Sequence, residues 1–188
     1  MQTRAVSCTR GITFFCLTNR RAAICLGPCG EKWGPVGAML LTGTFVRSVD
    51  EKLRVAVPRP LRDILLPRGE GLVYVAPGMD GSLSIYAEAA FSQLAERFAE
   101  VSSTERDVRA FARLFFAQAQ SAELDSQGRV RIPPELARLA NLGAELVIVG
   151  VRDHIELWNR VQWESYLAEN QPRYEEIAEA AFRRSKNP

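Results

Sequence analysis

The chain of 188 residues contains one histidine, His154, and no cysteine beyond Cys29. It also lacks a glycine-rich phosphate loop, a His-x-x-x-His pair and a Gly-x-Ser-x-Gly elbow. No catalytic constellation is therefore legible, and an enzyme is not expected. Glu175, Glu176 and Glu179 cluster near the C-terminus, but nothing beside them suggests acid–base work, and they read as a solvated helix face. No apolar run approaches the ~20 residues needed to cross a bilayer, and no membrane partner is expected. A secretory leader fits poorly, because the apolar stretch 12–17 is short and no small-x-small site follows it. Charge of one sign is scarce as well: 24 Lys and Arg against 22 Asp and Glu leave a formal +2.

That small sum hides an asymmetry. Residues 1–38 hold Arg4, Arg10, Arg20, Arg21 and Lys32 against Glu31, a sum of +4 that leaves the remaining 150 residues at −2. Any polyanion binding by the rest must come from a local cluster multiplied by assembly. Cys8, Cys16, Cys25 and Cys29 all lie in the same N-terminal stretch. Cys25 and Cys29 have the spacing of one metal-ligand pair, but the other gaps match no standard zinc knuckle and no histidine is near. The stretch reads first as a disordered extension or a mis-set start, with the functional chain opening at Met39. A metal site and an unclassified tail are the alternatives. No metal or other cofactor is expected, and a cysteine-free remainder suits the reducing cytosol.

The chain's strongest positive signal is a repeat. Asp50-Glu51-Lys52-Leu53-Arg54-Val55-Ala56-Val57-Pro58 returns as Asp125-Ser126-Gln127-Gly128-Arg129-Val130-Arg131-Ile132-Pro133. Both copies read Asp-x-x-x-Arg-Val-x-[Val/Ile]-Pro: an acid, a tight turn, a cation, then alternating apolar residues that run into proline. After each proline come a short amphipathic stretch (61–65; 136–142), an apolar strand (72–75; 146–149) and an aromatic-capped strand (83–86; 155–158). One tandem repetition implies a pseudo-symmetric pair of small β-rich modules, each presenting the same charged turn.

Around these units the spacing predicts a strand over 40–45, a polar turn over 48–52 and a return strand over 54–57 that Pro58 and Pro60 end. Phe91, Leu94, Ala95, Phe98 and Val101 form one helical stripe, and Val108, Phe111, Ala112, Phe115 and Phe116 another. Ser102-x-x-Glu105 has the capping-box pattern for the second helix. Asn159-x-x-Gln162 opens a helix that carries Trp163 and Leu167. Pro172 should break that helix, and 174–182 should add a turn or two before the chain frays. His154 reads as a surface turn residue, and Trp158 and Trp163 as packing residues. The expected organisation is an extension (1–38), a first module (39–88), a helical connection (89–118), a second module (119–170) and a helical or frayed tail (171–188).

Leu41-Thr42-Gly43-Thr44-Phe45 followed by the Asp50 turn resembles the opening of MraZ proteins. The match continues through Glu105-Arg106-Asp107-Val108-Arg109, Ala122-Glu123-Leu124-Asp125-Ser126-Gln127-Gly128-Arg129 and Ile155-Glu156-Leu157-Trp158 with Trp163. The resemblance covers residues 39–170 in order. It implies an α+β fold, mainly β, of two tandem AbrB-type swapped-hairpin β-barrel modules with connecting and C-terminal helices. It further implies a homo-oligomeric ring, cytoplasmic and nucleoid-associated, that regulates transcription. Such a ring would bind repeated boxes of double-stranded DNA in the promoter of a cell-division and cell-wall gene cluster.

In that family the Asp-x-x-Gly-Arg turns face DNA. The carry-over marks Lys52, Arg54, Gln127 and Arg129 as DNA-binding residues, Arg131 and Arg47 are expected to bind DNA with them, and Arg59 lies nearby. Asp50, Asp125 and Gly128 shape the turns. Leu53 stands where the family has glycine, so the first turn should be reshaped or strained. Arginine's planar donor fork suits both phosphates and guanine edges. The plainer reading is that each Asp–Arg pair merely closes its hairpin and that Lys52 and Arg131 are solvated surface charges. The alternative function is a protein-interaction module, an AbrB-like antitoxin or a scaffold whose turns grip a partner protein.

Overall fold

The computed structural model describes residues 2–7, 13–19, 22–26, 40–67, 71–101 and 104–185. The chain divides into two compact units, Met1–Met39 and Leu40–Pro188. In the first unit, β1 (Gln2–Ser7), β2 (Thr13–Asn19) and β3 (Ala22–Leu26) form an antiparallel sheet in that order. A stretch read from sequence as a disordered extension thus carries three strands. Cys8 and Cys29 lie outside the described residues, and with them the Cys25–Cys29 ligand pair.

The second unit runs β4 (Thr44–Ser48), β5 (Arg54–Ala56), α1 (Arg59–Leu65), β6 (Leu72–Pro77), β7 (Leu83–Ala87), α2 (Glu88–Glu100) and α3 (Arg106–Gln118). The second repeat follows as β8 (Gln120–Glu123), β9 (Arg129–Arg131), α4 (Pro134–Leu139), β10 (Glu145–Val151), β11 (His154–Asn159), α5 (Arg160–Asn170) and α6 (Tyr174–Ser185). Each repeat sends its ribbon strand into a proline-opened helix. Pro60 and Pro134 sit in the first turns of α1 and α4, where a missing N–H costs nothing.

The two repeats interleave. The large sheet has the order β4-β10-β11-β7-β6-β8. At its centre β7 and β11 pair with Ser84 opposite Glu156, flanked by Leu83–Leu157 and Ile85–Ile155. A pseudo-twofold axis passes there. Outward from it lie each repeat's own hairpin partner, and then the first strand of the other repeat: β4 on β10 and β8 on β6. Neither repeat owns a complete sheet. Leu83, Ile85, Ile155 and Leu157 are fully buried in one core, with Val55, Leu61, Val130 and Leu136 from the two ribbons and helices.

Several boundaries differ from the periodicity reading. The strand expected over 40–45 runs instead from Thr44 to Ser48, through the start of the expected turn. Gly43 takes φ +100 and interrupts the extended chain before it. The partner strand β10 then sets the register, with Ser48 opposite Glu145 and Thr44 opposite Val149. Helix α3 begins at Arg106, with Glu105 extended in front of it and no side-chain cap. Glu105 therefore cannot serve as the third residue of a capping box, and Ser102 lies outside the described residues. Asn159 does cap α5, accepting from the amides of Val161 (2.9 Å) and Gln162 (3.5 Å). Pro172 sits in a short 3-10 turn that leads directly into α6, a helix of 12 residues and not one or two turns.

The aromatic stripes pack as the spacing predicts. Phe91 stacks on Tyr74 at 4.4 Å, Phe98 on Phe111 at 5.2 Å, and Phe115 is buried between the helices and the sheet. Trp158 is buried beneath Trp163 and Tyr166. His154 is half-buried at the start of β11, not a freely exposed turn residue. Its ring stacks on Tyr86 at 4.8 Å, with Nδ1 2.9 Å from Asp153 Oδ1 and Nε2 3.5 Å from Glu156 Oε1. Burial by itself would lower its pKa, but the two carboxylates outweigh that and raise it. Among the described residues no helix is long and apolar enough to cross a membrane.

Candidate nucleic-acid interface

Strands β5 and β9 form a separate two-stranded antiparallel ribbon with Val55 opposite Val130, Arg54 opposite Arg131 and Ala56 opposite Arg129. Side chains alternate faces along a strand. Val55 and Val130 accordingly point into the core, fully buried. The other face of the ribbon carries Arg54, Arg129 and Arg131. Cross-strand juxtaposition of Arg54 and Arg131 is unfavourable unless anions compensate.

The compensation is built into the turns. In the first, Asp50 Oδ1 accepts the amides of Lys52 (3.0 Å) and Arg54 (2.8 Å), and Asp50 Oδ2 accepts from Arg54 Nε and Nη2, both at 2.7 Å. In the second, Asp125 Oδ1 accepts the amides of Gln127 (2.9 Å) and Arg129 (2.9 Å), while Oδ2 accepts from Arg129 Nε (2.8 Å) and Nη2 (2.7 Å). A backbone bond closes each tip, Leu53 N–H to Asp50 O at 2.9 Å and Gly128 N–H to Asp125 O at 2.8 Å. Arg54 Nη1 also reaches across the pseudo-twofold to within 4.0 Å of Asp125 Oδ2. Each clasp orients its guanidinium by bringing Nε and Nη2 onto a single carboxylate oxygen, and the remaining Nη1 of Arg54 faces the other turn's aspartate. The two arginine side chains are 31% and 28% exposed, partly covered but not sequestered.

Leu53 matches the glycine it replaces in conformation. It takes φ +56 beside +72 for Gly128, so the first turn is strained and not reshaped. A left-handed leucine costs about 1 kcal/mol or more. Packing of its side chain against the core offsets that cost.

Lys52, Gln127 and Arg131 are exposed around the ribbon. Arg47 lies elsewhere, on β4 of the large sheet, where its Nη1 donates to Val46 O (2.8 Å) and its guanidinium sits 5.9 Å from the Phe45 ring centre. Lys52, Arg54, Gln127, Arg129 and Arg131 thus lie on the ribbon and its turns, whereas Arg47 is placed on the neighbouring strand β4. Among the described residues no group of His, Cys, Asp and Glu could hold a metal ion.

The side-chain bond from Arg54, followed by its backbone amide, holds the Asp50 carboxyl at about 2 against an ordinary 3.8. Asp125 is lowered too, chiefly by the Arg129 amide. A depressed carboxylate contributes stability above its ordinary pKa and loses it as the pH falls through the folded value. The first turn should therefore hold from neutral pH down past 3.8 and loosen towards about 2. A carbon-13 titration of the Asp50 side chain will give a midpoint near the lower value. A midpoint at 3.8 would show that the Asp–Arg clasp does not form in solution.

An interleaved pair of hairpin repeats presenting two clasped arginine turns defines a tandem swapped-hairpin protein of the AbrB type. The chain belongs to the MraZ family: the family described as MraZ protein matches it twice, over residues 40–114 and 115–185. Among its relatives is a protein of Alkaliphilus oremlandii named Transcriptional regulator MraZ, 38% identical over 139 residues, which are 74% of this chain and 94% of the relative. One of Corynebacterium kroppenstedtii with the same name is 39% identical over 74% of this chain and 95% of its own length. A third, of Salinispora tropica, is 35% identical over 76% of this chain and 98% of its own. These relatives are named as regulators, not as enzymes.

Proposed function

We propose that this chain is a sequence-specific DNA-binding transcriptional regulator. It acts as a homo-oligomeric ring on tandem boxes in the promoter of a cell-division and cell-wall gene cluster, and it lies with the nucleoid. The observation that carries this reading is the outer face of the β5–β9 ribbon. There Arg54, Arg129 and Arg131 share one side, and Arg54 and Arg129 are oriented by carboxylates while staying partly exposed. Oriented arginines contact phosphates and guanine edges, while Lys52 adds a point charge and Gln127 an amide. Each phosphate neutralised adds counterion release, so one ribbon holds DNA weakly at physiological salt and several held in register hold it well. Tyr174 and Phe182 on α6, exposed at 72% and 73%, give the chain apolar surface for self-association.

Selection from a random-sequence duplex pool with the full chain, followed by sequencing, tests the reading. A recurrent repeated box should emerge, and light scattering should give a mass several times that of one chain. If no duplex is enriched and a second protein co-purifies in stoichiometric amount, the antitoxin-type interaction module replaces it.

A further inference from the structure

Arg62, on α1 of the first repeat, carries a charge that the ribbon as described does not use. Its side chain lies against the second turn. A Cβ built on Gly128 would collide with the Arg62 Nη1 and come within 3.0 Å of its Cδ. The bare Cα of Gly128, at φ +72, therefore lets the arginine lie across the turn. Gly128 O accepts from Val57 N–H at 3.0 Å, tying that turn to the segment that enters α1. Arg62 Nε is 3.7 Å from Asp63 Oδ1, but Arg59 Nε approaches the same carboxylate through Oδ2 at 3.4 Å. One acid between two guanidiniums leaves net positive charge. The Arg62 side chain is 29% exposed, much like Arg129 at 28%.

The first turn is built differently. The repeat offset that carries Asp50 onto Asp125 carries Arg62 onto Ala137 and Leu53 onto Gly128. A long side chain faces a glycine on one side, and a leucine takes the place of the glycine where the facing position is alanine. Leu53 packs against the core cluster that contains the buried Ala137. The same offset exchanges Lys52 for Gln127.

We infer that Arg62 is a DNA-contacting residue of the second turn, supplied across the pseudo-twofold by the first repeat. This rests on the DNA-binding reading above. The two turns then grip DNA by different means: Lys52 stands beside Arg54 at the first, and Arg62 beside Arg129 at the second. Gln127 is left to offer its amide to a base edge, where adenine is its natural match.

The test uses the full chain and a fluorescein-labelled duplex that it has selected, titrated by anisotropy across salt concentrations. Arg62→Gln keeps length and removes charge. It should weaken binding roughly fivefold to tenfold and flatten the salt slope by about 1, while Arg62→Lys restores the slope. Leu53→Gly with Ala137→Arg, which copies the second arrangement onto the first turn, should steepen the slope by about 1. An unchanged slope in Arg62→Gln overturns the inference even if affinity falls, because the loss would then be structural. Wild-type binding with that result sinks this inference alone, whereas a wild-type chain that selects no duplex sinks the DNA-binding reading with it.

Discussion

Replacing both Arg54 and Arg129 with alanine will reduce affinity for a selected duplex on the order of a hundredfold or more, and the salt slope will fall by about 2. Each arginine contact is worth about 1–3 kcal/mol, and because Arg54 Nη1 comes within 4.0 Å of the carboxylate that clasps Arg129, the two losses will be coupled rather than simply additive. The loss should exceed that of simple phosphate-contacting lysines. Removing a guanidinium also unmasks Asp50 or Asp125, so a bare carboxylate then faces the phosphates. Adding Asp50→Asn and Asp125→Asn to the double variant should accordingly recover part of the affinity. Arg54→Lys with Arg129→Lys will keep the charge but lose the fork, giving an intermediate loss that falls most heavily on sequence preference. If the clasps only close hairpins, the double alanine variant will melt earlier yet bind with unchanged slope. Thermal denaturation and anisotropy on the same samples separate the two outcomes.

The second large effect concerns the shared core. Leu157→Ala should cost about 2–5 kcal/mol, the range for deleting a fully buried leucine that neighbours cannot replace, and lower Tm on the order of 10 °C. Leu157 is 0% exposed and lies opposite Leu83 of the other repeat across the pseudo-twofold. The damage will therefore not stay in the second repeat. Hydrogen exchange should show the amides of β6 and β10 losing protection together, in one cooperative transition. Protection retained in β6 while β10 opens would mean that the repeats fold as independent modules.

Much of the site was legible because its geometry is local. The Asp50–Arg54 and Asp125–Arg129 clasps join residues four positions apart, and every bond in them joins positions that the turn itself brings together. The Asn159 cap and the stripe of Phe91, Leu94 and Phe98 obey the same short-range rules. Leu53 was legible as a departure from glycine. Whether strain or a new turn would result depended on the energy of packing its side chain, which spacing does not report. Arg47 looked like part of the basic cluster because it is near Asp50 in sequence. The β4 strand instead carries it into the large sheet, where β10 dictates the register. The environment of His154 was equally hidden, since Tyr86 reaches it only through the pairing of β7 with β11.

From residue order alone came the duplication, the two charged turns and the proline-opened helices, because each is set by torsional preferences and hydrogen bonds within about one turn of chain. Tertiary structure alone decided that the repeats trade their first strands, that the three arginines share one face, and that Arg62 lies over the other repeat's Gly128. Those outcomes depend on burying both apolar faces in a single core, and that requirement acts between segments far apart in sequence and leaves no local periodicity to read.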